Sequence, residues 1–90
     1  MKYQLFFTAK AKKDLSKLDA YTQKKIQAYL NNNVSGSENP KAHGKALSEN
    51  LSGYWRYRIG DYRVICKIHD DVCKVFAVNI GHRSKIYSKT

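Results

Sequence analysis

Ninety residues carry 17 Lys+Arg against 7 Asp+Glu, a formal charge of +10 and a pI near 9.8, with 42% of positions apolar. This is one small domain with enough apolar chain for a core, so global disorder is excluded; no run reaches transmembrane length, none near the N-terminus suits a secretory leader, and a cytoplasmic location is expected. A chain this basic attracts polyanions, and without a basic amphipathic segment bearing a broad apolar face, nucleic acid or an acidic protein ranks above a membrane.

In chain order, Tyr3-Gln4-Leu5-Phe6-Phe7 reads as a strand. Thr8 suits an N-cap, and Ala11, Leu15 and Leu18 recur at helical spacing over Ala9 to Leu18. Asp19 caps a second helix with an Ile26, Tyr29 and Leu30 stripe, which the Asn31-Asn32-Asn33 run and Gly36 end. From Ser35 to Gly53 the chain is polar and rich in Gly, Ser and Asn, a long loop with room for a short helical turn. Strands are expected at Tyr54–Ile59, Tyr62–His69 and Val72–Ile80, followed by a tail through Gly81-His82-Arg83-Ser84-Lys85-Ile86-Tyr87. The order β-α-α-β-β-β gives an α+β fold: a small, antiparallel-dominated sheet with two N-terminal helices on one face, in a single domain over 1–90.

Gly60-Asp61 is a two-residue hairpin turn with Gly at its first position. It pairs Ile59 with Tyr62 and Arg58 with Arg63, and alternation puts Trp55, Tyr57 and Ile59 on one face and Arg56 and Arg58 on the other. Like charges directly opposite are mildly destabilising, and a bound polyanion would relieve them. The four arginines fall only at 56, 58, 63 and 83, whereas lysines are spread throughout. In the last strand, Phe76, Val78 and Ile80 form a better apolar set than Val75, Ala77 and Asn79. If that set faces the helices, Asn79 joins the arginine face, which requires an odd-length turn near Asp70-Asp71-Val72. Arg83, His82 and Tyr87 then arrive from the tail.

A two-residue turn at Asp70-Asp71 would instead pair Cys73 with Ile68 and leave it roughly 7–8 Å from Cys66 on the diagonal, too far for a disulfide. Both cysteines read as free thiols of a reducing compartment, and no histidine stands at zinc-ligand spacing from them, so neither metal nor cofactor is expected. His43 and His69 read as loop or turn residues. Arginine's permanent charge and planar fork suit phosphate, and Tyr87 could stack on an unpaired base. Such a face suits RNA binding, and it suits the pentacovalent state formed when a ribose 2′-hydroxyl attacks the adjacent phosphate, a reaction that needs only positioning, charge neutralisation and proton transfer.

Leu51-Ser52-Gly53-Tyr54-Trp55-Arg56-Tyr57-Arg58-Ile59-Gly60-Asp61-Tyr62-Arg63-Val64-Ile65, together with Asn79-Ile80-Gly81-His82-Arg83-Ser84-Lys85-Ile86-Tyr87, closely resembles the RelE/ParE superfamily of toxins from type II toxin–antitoxin modules. The resemblance covers essentially the whole chain. It implies a RelE-like endoribonuclease that enters the A site of the ribosomal 30S subunit and cuts mRNA there without metal, leaving a 2′,3′-cyclic phosphate. It also implies an acidic, RelB-like antitoxin that folds on binding. By position, Arg56 and Arg58 match the family's basic pair, Arg63 its phosphate-stabilising arginine, Arg83 the arginine proposed as general acid and Tyr87 the tyrosine that orients base and nucleophile. Lys45 resembles a basic loop residue that holds RNA, and Lys45, Arg56, Asn79 and Lys85 make up the expected RNA-binding set. Studied RelE toxins have lysine, proposed as general base, where Arg58 stands. Arginine does not readily release a proton. Either Arg58 only holds phosphate or another group takes the proton, His82 being the first candidate and Glu49 the second. The competing readings are a ParE-like gyrase inhibitor, which usually lacks the Arg83 and Tyr87 pair, and a nuclease-inactive RNA-binding member.

Overall fold

Two helices, α1 (Ala9–Ser16) and α2 (Ala20–Asn33), cover one face of a five-stranded sheet in the computed structural model, which describes residues 1–48 and 51–86. The strands are β1 (Gln4–Phe7), β2 (Lys45–Ala46), β3 (Trp55–Ile59), β4 (Tyr62–His69) and β5 (Lys74–His82), in the spatial order β1-β5-β4-β3-β2. β1 runs parallel to β5 and every other pairing is antiparallel, so the sheet is mixed. The α+β layout expected from sequence is the observed one. The additional strand is β2, which lies with a short 3₁₀ turn (Pro40–Ala42) in the segment expected to be loop. No helix among the described residues is long and apolar enough to cross a membrane.

The caps are those the sequence names. Thr8 Oγ1 accepts from Ala11 N–H at 3.1 Å, and Asp19 accepts from Thr22 N–H at 3.1 Å, so each helix starts with a backbone donor satisfied by a side chain. From these starts α1 buries Ala11 and Leu15, and α2 buries Ile26 and Leu30, against the sheet. On the strands, Tyr57, Val64, Cys66, Val75, Ala77 and Ile80 meet them. Each fully buried aliphatic side chain contributes about 1.5–3 kcal/mol through apolar burial. Tyr57 is wholly buried, and its hydroxyl donates to Pro40 O at 2.6 Å, which fastens the 3₁₀ turn to the core. Burial pushes the Cys66 thiol up to about 12, so it packs as a neutral apolar group.

The hairpin forms as expected. Ile59 pairs with Tyr62, Arg58 with Arg63, and Gly60 takes φ +59°, a conformation that side-chain-bearing residues rarely adopt. The next turn departs from expectation. His69 pairs with Lys74 across the four residues Asp70–Cys73, and Cys73, at φ +53°, lies in the turn instead of opposite Ile68. The odd residue sits further along. Cys66 pairs with Ala77 but Ile65 with Asn79, so Val78 is an extra residue, a bulge in β5. Val75 and Ala77 therefore face the helices before the bulge and Ile80 after it, whereas Phe76 and Val78 do not join the core set. The expected Phe76, Val78 and Ile80 stripe is corrected accordingly. Asn79 still reaches the open face, through the bulge and not through an odd-length turn.

Phe76 and Val78 can sit on the open face because that face has apolar surface of its own. Phe76 stacks on Phe6 with ring centroids 5.3 Å apart, and His69 meets its edge at 5.4 Å. Val78 lines a shallow groove with Ile65, Tyr54, Leu51 and Ile86, partly covered by the tail turn in which Lys85 and Ile86 N–H both donate to His82 O. Gly81 makes room for that turn, since a Cβ there would lie 3.2 Å from Ile86 Cδ1.

Candidate functional site

The strand register lines up the basic residues in two rows on the open face. Lys45 on β2 is paired with Arg56 on β3, and the same row continues through Ile65 on β4 to Asn79 on β5. The second row runs from Arg58 through Arg63 to Gly81. Four cations on three neighbouring strands thus share one face, a consequence of the Gly60-Asp61 turn and of strict side-chain alternation.

Their partners differ sharply. Arg63 is buried, with 8% exposure, and its Nη1 donates to Gly60 O and Tyr62 O at 3.0 Å each. Two carbonyl acceptors hold the guanidinium back against the hairpin turn, which relieves the repulsion from the facing Arg58. Arg83 uses the same turn: its backbone N–H donates to Asp61 O at 2.8 Å, and its Nε stands 3.8 Å from Asp61 Oδ1 in an exposed ion pair. The hairpin turn therefore fixes Arg63 and Arg83 together. By contrast, among the described residues no side-chain hydrogen bond or ion pair engages Lys45, Arg56 or Arg58, and Arg56 Nε is buried without an acceptor. A buried guanidinium donor without a partner costs free energy that an anionic ligand would recover.

Asp70 and Asp14 are committed away from this row. Asp70 accepts from Lys41 Nζ at 2.9 Å and from Tyr3 Oη at 2.7 Å, and these two bonds hold its carboxyl below the usual range. Asp14 accepts from Lys10 Nζ at 2.7 Å and from the Ile80 N–H at 3.0 Å, capping the part of β5 that outruns β1. Asn79 Oδ1 accepts from Lys10 Nζ at 3.0 Å, so the amide is positioned by α1.

Arg56, Arg58 and Lys45 also line a cleft of about 410 Å³ beside β3, completed by Tyr29, Ala42, His43 and Gly44. The loop in front of it is built tightly. Trp55 Nε1 donates to His43 O at 2.7 Å. Gly44 has φ +85°, and a Cβ there would lie 2.3 Å from Arg56 O. From sequence Tyr29 reads as part of a helix stripe and His43 as a loop residue, and neither is among the expected site residues; Lys45, next to Gly44, was the sign that this loop approaches the face.

Not every expected neighbour is there. His82 is paired with Tyr62, in register with the helix-facing residues Val64 and Ile80, and its ring meets Tyr62 edge-on at 5.4 Å. Its Nδ1 lies 2.8 Å from Ser84 Oγ. It does not share the arginine face, because the Val78 bulge that moves Asn79 onto that face moves His82 off it. Lys85 is exposed in the tail turn. Tyr87 and Glu49 lie outside the described residues.

Comparison with known proteins places this geometry in a family. A model described as ParE toxin of type II toxin-antitoxin system, parDE, matches residues 5–87. The chain is 30% identical over 89 residues to Toxin RelG of Mycobacterium tuberculosis, covering 99% of this chain and all of the relative. It is 37% identical over 87 residues to Toxin RelE of the same organism, covering 94% of this chain and 86% of the relative. Among solved structures, the toxin–antitoxin complex RelBE2 from M. tuberculosis superposes with a TM-score of 0.79 at 29% identity, over 92% of this chain and 100% of that one. A mutant of Escherichia coli toxin RelE in the free state shares the fold, with a TM-score of 0.72 at 22% identity over 99% and 94% of the two chains. The chain belongs to the RelE/ParE superfamily of toxins from type II toxin–antitoxin modules.

Proposed function

We propose that the protein is a ribosome-dependent endoribonuclease that cleaves mRNA in the A site and so inhibits translation. The observation that carries this reading is the cation row without acidic partners: Lys45, Arg56 and Arg58 have no side-chain partner among the described residues, while Arg63 and Arg83 are held on the adjoining turn. RNA backbone supplies the missing acceptors. In the reaction, Arg58 and Arg63 neutralise the charge that builds on the phosphate as the 2′-oxygen attacks, and Arg83 stands ready for the leaving oxygen. Lys45, Arg56, Asn79 and Lys85 hold neighbouring nucleotides, and Tyr87 orients the base. The partner in the resting cell is an acidic antitoxin that neutralises the same face; that the RelBE2 neighbour was solved as a toxin–antitoxin complex supports a protein partner of this kind.

The test is primer extension on a translated mRNA with programmed ribosomes and purified toxin. Cuts at defined codons are expected, weakened about 10²–10³-fold in Arg83→Ala, the scale on which loss of one preorganised charge-stabilising donor acts. The ParE description of the matching family model favours a second reading, a gyrase inhibitor. Intact mRNA with trapped gyrase–DNA complexes would support it, and neither effect would point to a nuclease-inactive member.

A further inference from the structure

Among the described residues of the arginine face, the endonuclease reading leaves the proton of the attacking 2′-hydroxyl without a receiver, because arginine is a donor only and His82 is paired with Tyr62, off that face. The cleft beside β3 supplies one. Lys45, Arg56 and Arg58 line it as cations, and Tyr29 lines it from α2. Burial raises the Tyr29 phenol, which keeps its proton in place. His43 is the remaining titratable side chain in this cleft, and a neutral imidazole carries a free acceptor nitrogen. Lys41, two residues upstream, is engaged by Asp70.

The position of His43 is built. Its carbonyl accepts from the Trp55 indole at 2.7 Å, its ring meets the edge of Tyr29 at 6.4 Å between centroids, and the following Gly44 allows the chain to pass against Arg56 O where a Cβ could not fit. Arg56, whose buried Nε lacks an acceptor, lines the same cleft, and the cleft's volume of about 410 Å³ falls within the roughly 300–1,000 Å³ of small-molecule sites. A nucleotide whose phosphate sits on Arg56 and Lys45 would bring its ribose alongside the His43 ring.

We propose that this cleft is a nucleotide subsite of the RNA path and that His43 is the general base of the cleavage. The proposal rests on the endonuclease reading. In the step, the neutral imidazole takes the proton of the 2′-hydroxyl and the O2′–P bond forms while the P–O5′ bond breaks. The departing O5′ takes a proton from water while the Arg83 guanidinium, which keeps its own proton, steadies the developing charge, and the products are a 2′,3′-cyclic phosphate and a 5′-hydroxyl. The imidazolium then returns its proton to solvent.

The experiment measures single-turnover cleavage on programmed ribosomes against pH for the wild type, His43→Gln, His43→Ala with and without added imidazole, and His69→Gln. The wild type is expected to lose rate on the acid side as its base becomes protonated. His43→Gln, which keeps the carbonyl that the Trp55 indole uses, is expected to fall about 10²–10⁴-fold and to lose that acid limb. Imidazole is expected to restore part of the His43→Ala rate, and His69→Gln is expected to match the wild type. An unchanged rate in His43→Gln overturns the proposal, as does a uniform loss that keeps the acid limb and resists imidazole; in either case the endonuclease reading stands. A wild type that cuts no mRNA overturns the endonuclease reading itself.

Discussion

The two ends of the open sheet face treat their cations in opposite ways. Toward the β1–β5 end, Lys74 Nζ on β5 sits 5.7 Å from the Phe6 ring centroid, and further in Lys67 Nζ on β4 sits 5.6 Å from that of Tyr54, just ahead of β3. These charges lie over aromatic faces, which satisfy them within the molecule. At the β2–β3 end, Lys45, Arg56 and Arg58 share a row or a cleft with no acidic group, ring or carbonyl engaging their side chains. Net charge alone would treat the two ends alike. The partner each cation has tells them apart, and it points to the β2–β3 end as the place where a polyanion is needed.

Substitutions can break or sharpen that contrast, ranked here by their effect on folding. Leu30→Ala, in the core beneath β3, should cost about 2–5 kcal/mol in urea-induced unfolding while leaving RNA affinity unchanged wherever the protein remains folded. Gly44→Ala should cost about 1–3 kcal/mol, since it combines a positive φ with a Cβ placed 2.3 Å from Arg56 O, and it should also open the cleft and weaken RNA binding. A variant that lost stability but bound RNA normally would detach the loop from the interface.

Asp70→Asn acts on the polar junction instead. The Asp70 carboxyl is held low in the folded state by Lys41 and Tyr3, so its contribution is present above the ordinary carboxylate range and fades as pH falls through the depressed value. The substitution should flatten the acid side of the stability–pH curve, by a small amount because the group is exposed, and leave RNA binding unaltered. Last, Arg56→Gln with Arg58→Ala should shift stability by no more than about 0.5 kcal/mol, yet lower the slope of log affinity against log salt for single-stranded RNA by about 1.4, the value for two phosphate contacts. An unchanged slope would remove these two residues from the interface.

The sequence was most informative where one residue's chemistry admits one geometry. Gly60 before Asp61 dictated the hairpin and with it the Arg58–Arg63 pairing; Thr8 and Asp19 dictated the helix starts. It was least informative where the decision lies in a distant partner. Phe76 and Val78 look like core by hydrophobicity, but Phe6, Ile65 and Ile86 give them a second apolar surface, so the pattern could not choose the face. The Val78 bulge follows from that competition, and it carried Asn79 onto the arginine face and His82 away from it. The two-residue strand at Lys45 and the approach of His43 depend on Gly44 meeting Arg56 and on the Trp55 indole reaching back to the loop, contacts that neither periodicity nor composition encodes.

The central claim is that the unpartnered arginines of β3 engage the mRNA backbone during cleavage. Primer extension on ribosome-bound mRNA, comparing the wild type with Arg58→Ala at matched folded concentration, tests it most directly. The account predicts codon-positioned stops with the wild type and a loss of about 10²-fold or more with Arg58→Ala, whose exposed side chain leaves the fold intact. Full-length mRNA with the wild type, or equal cleavage by both proteins, would contradict it.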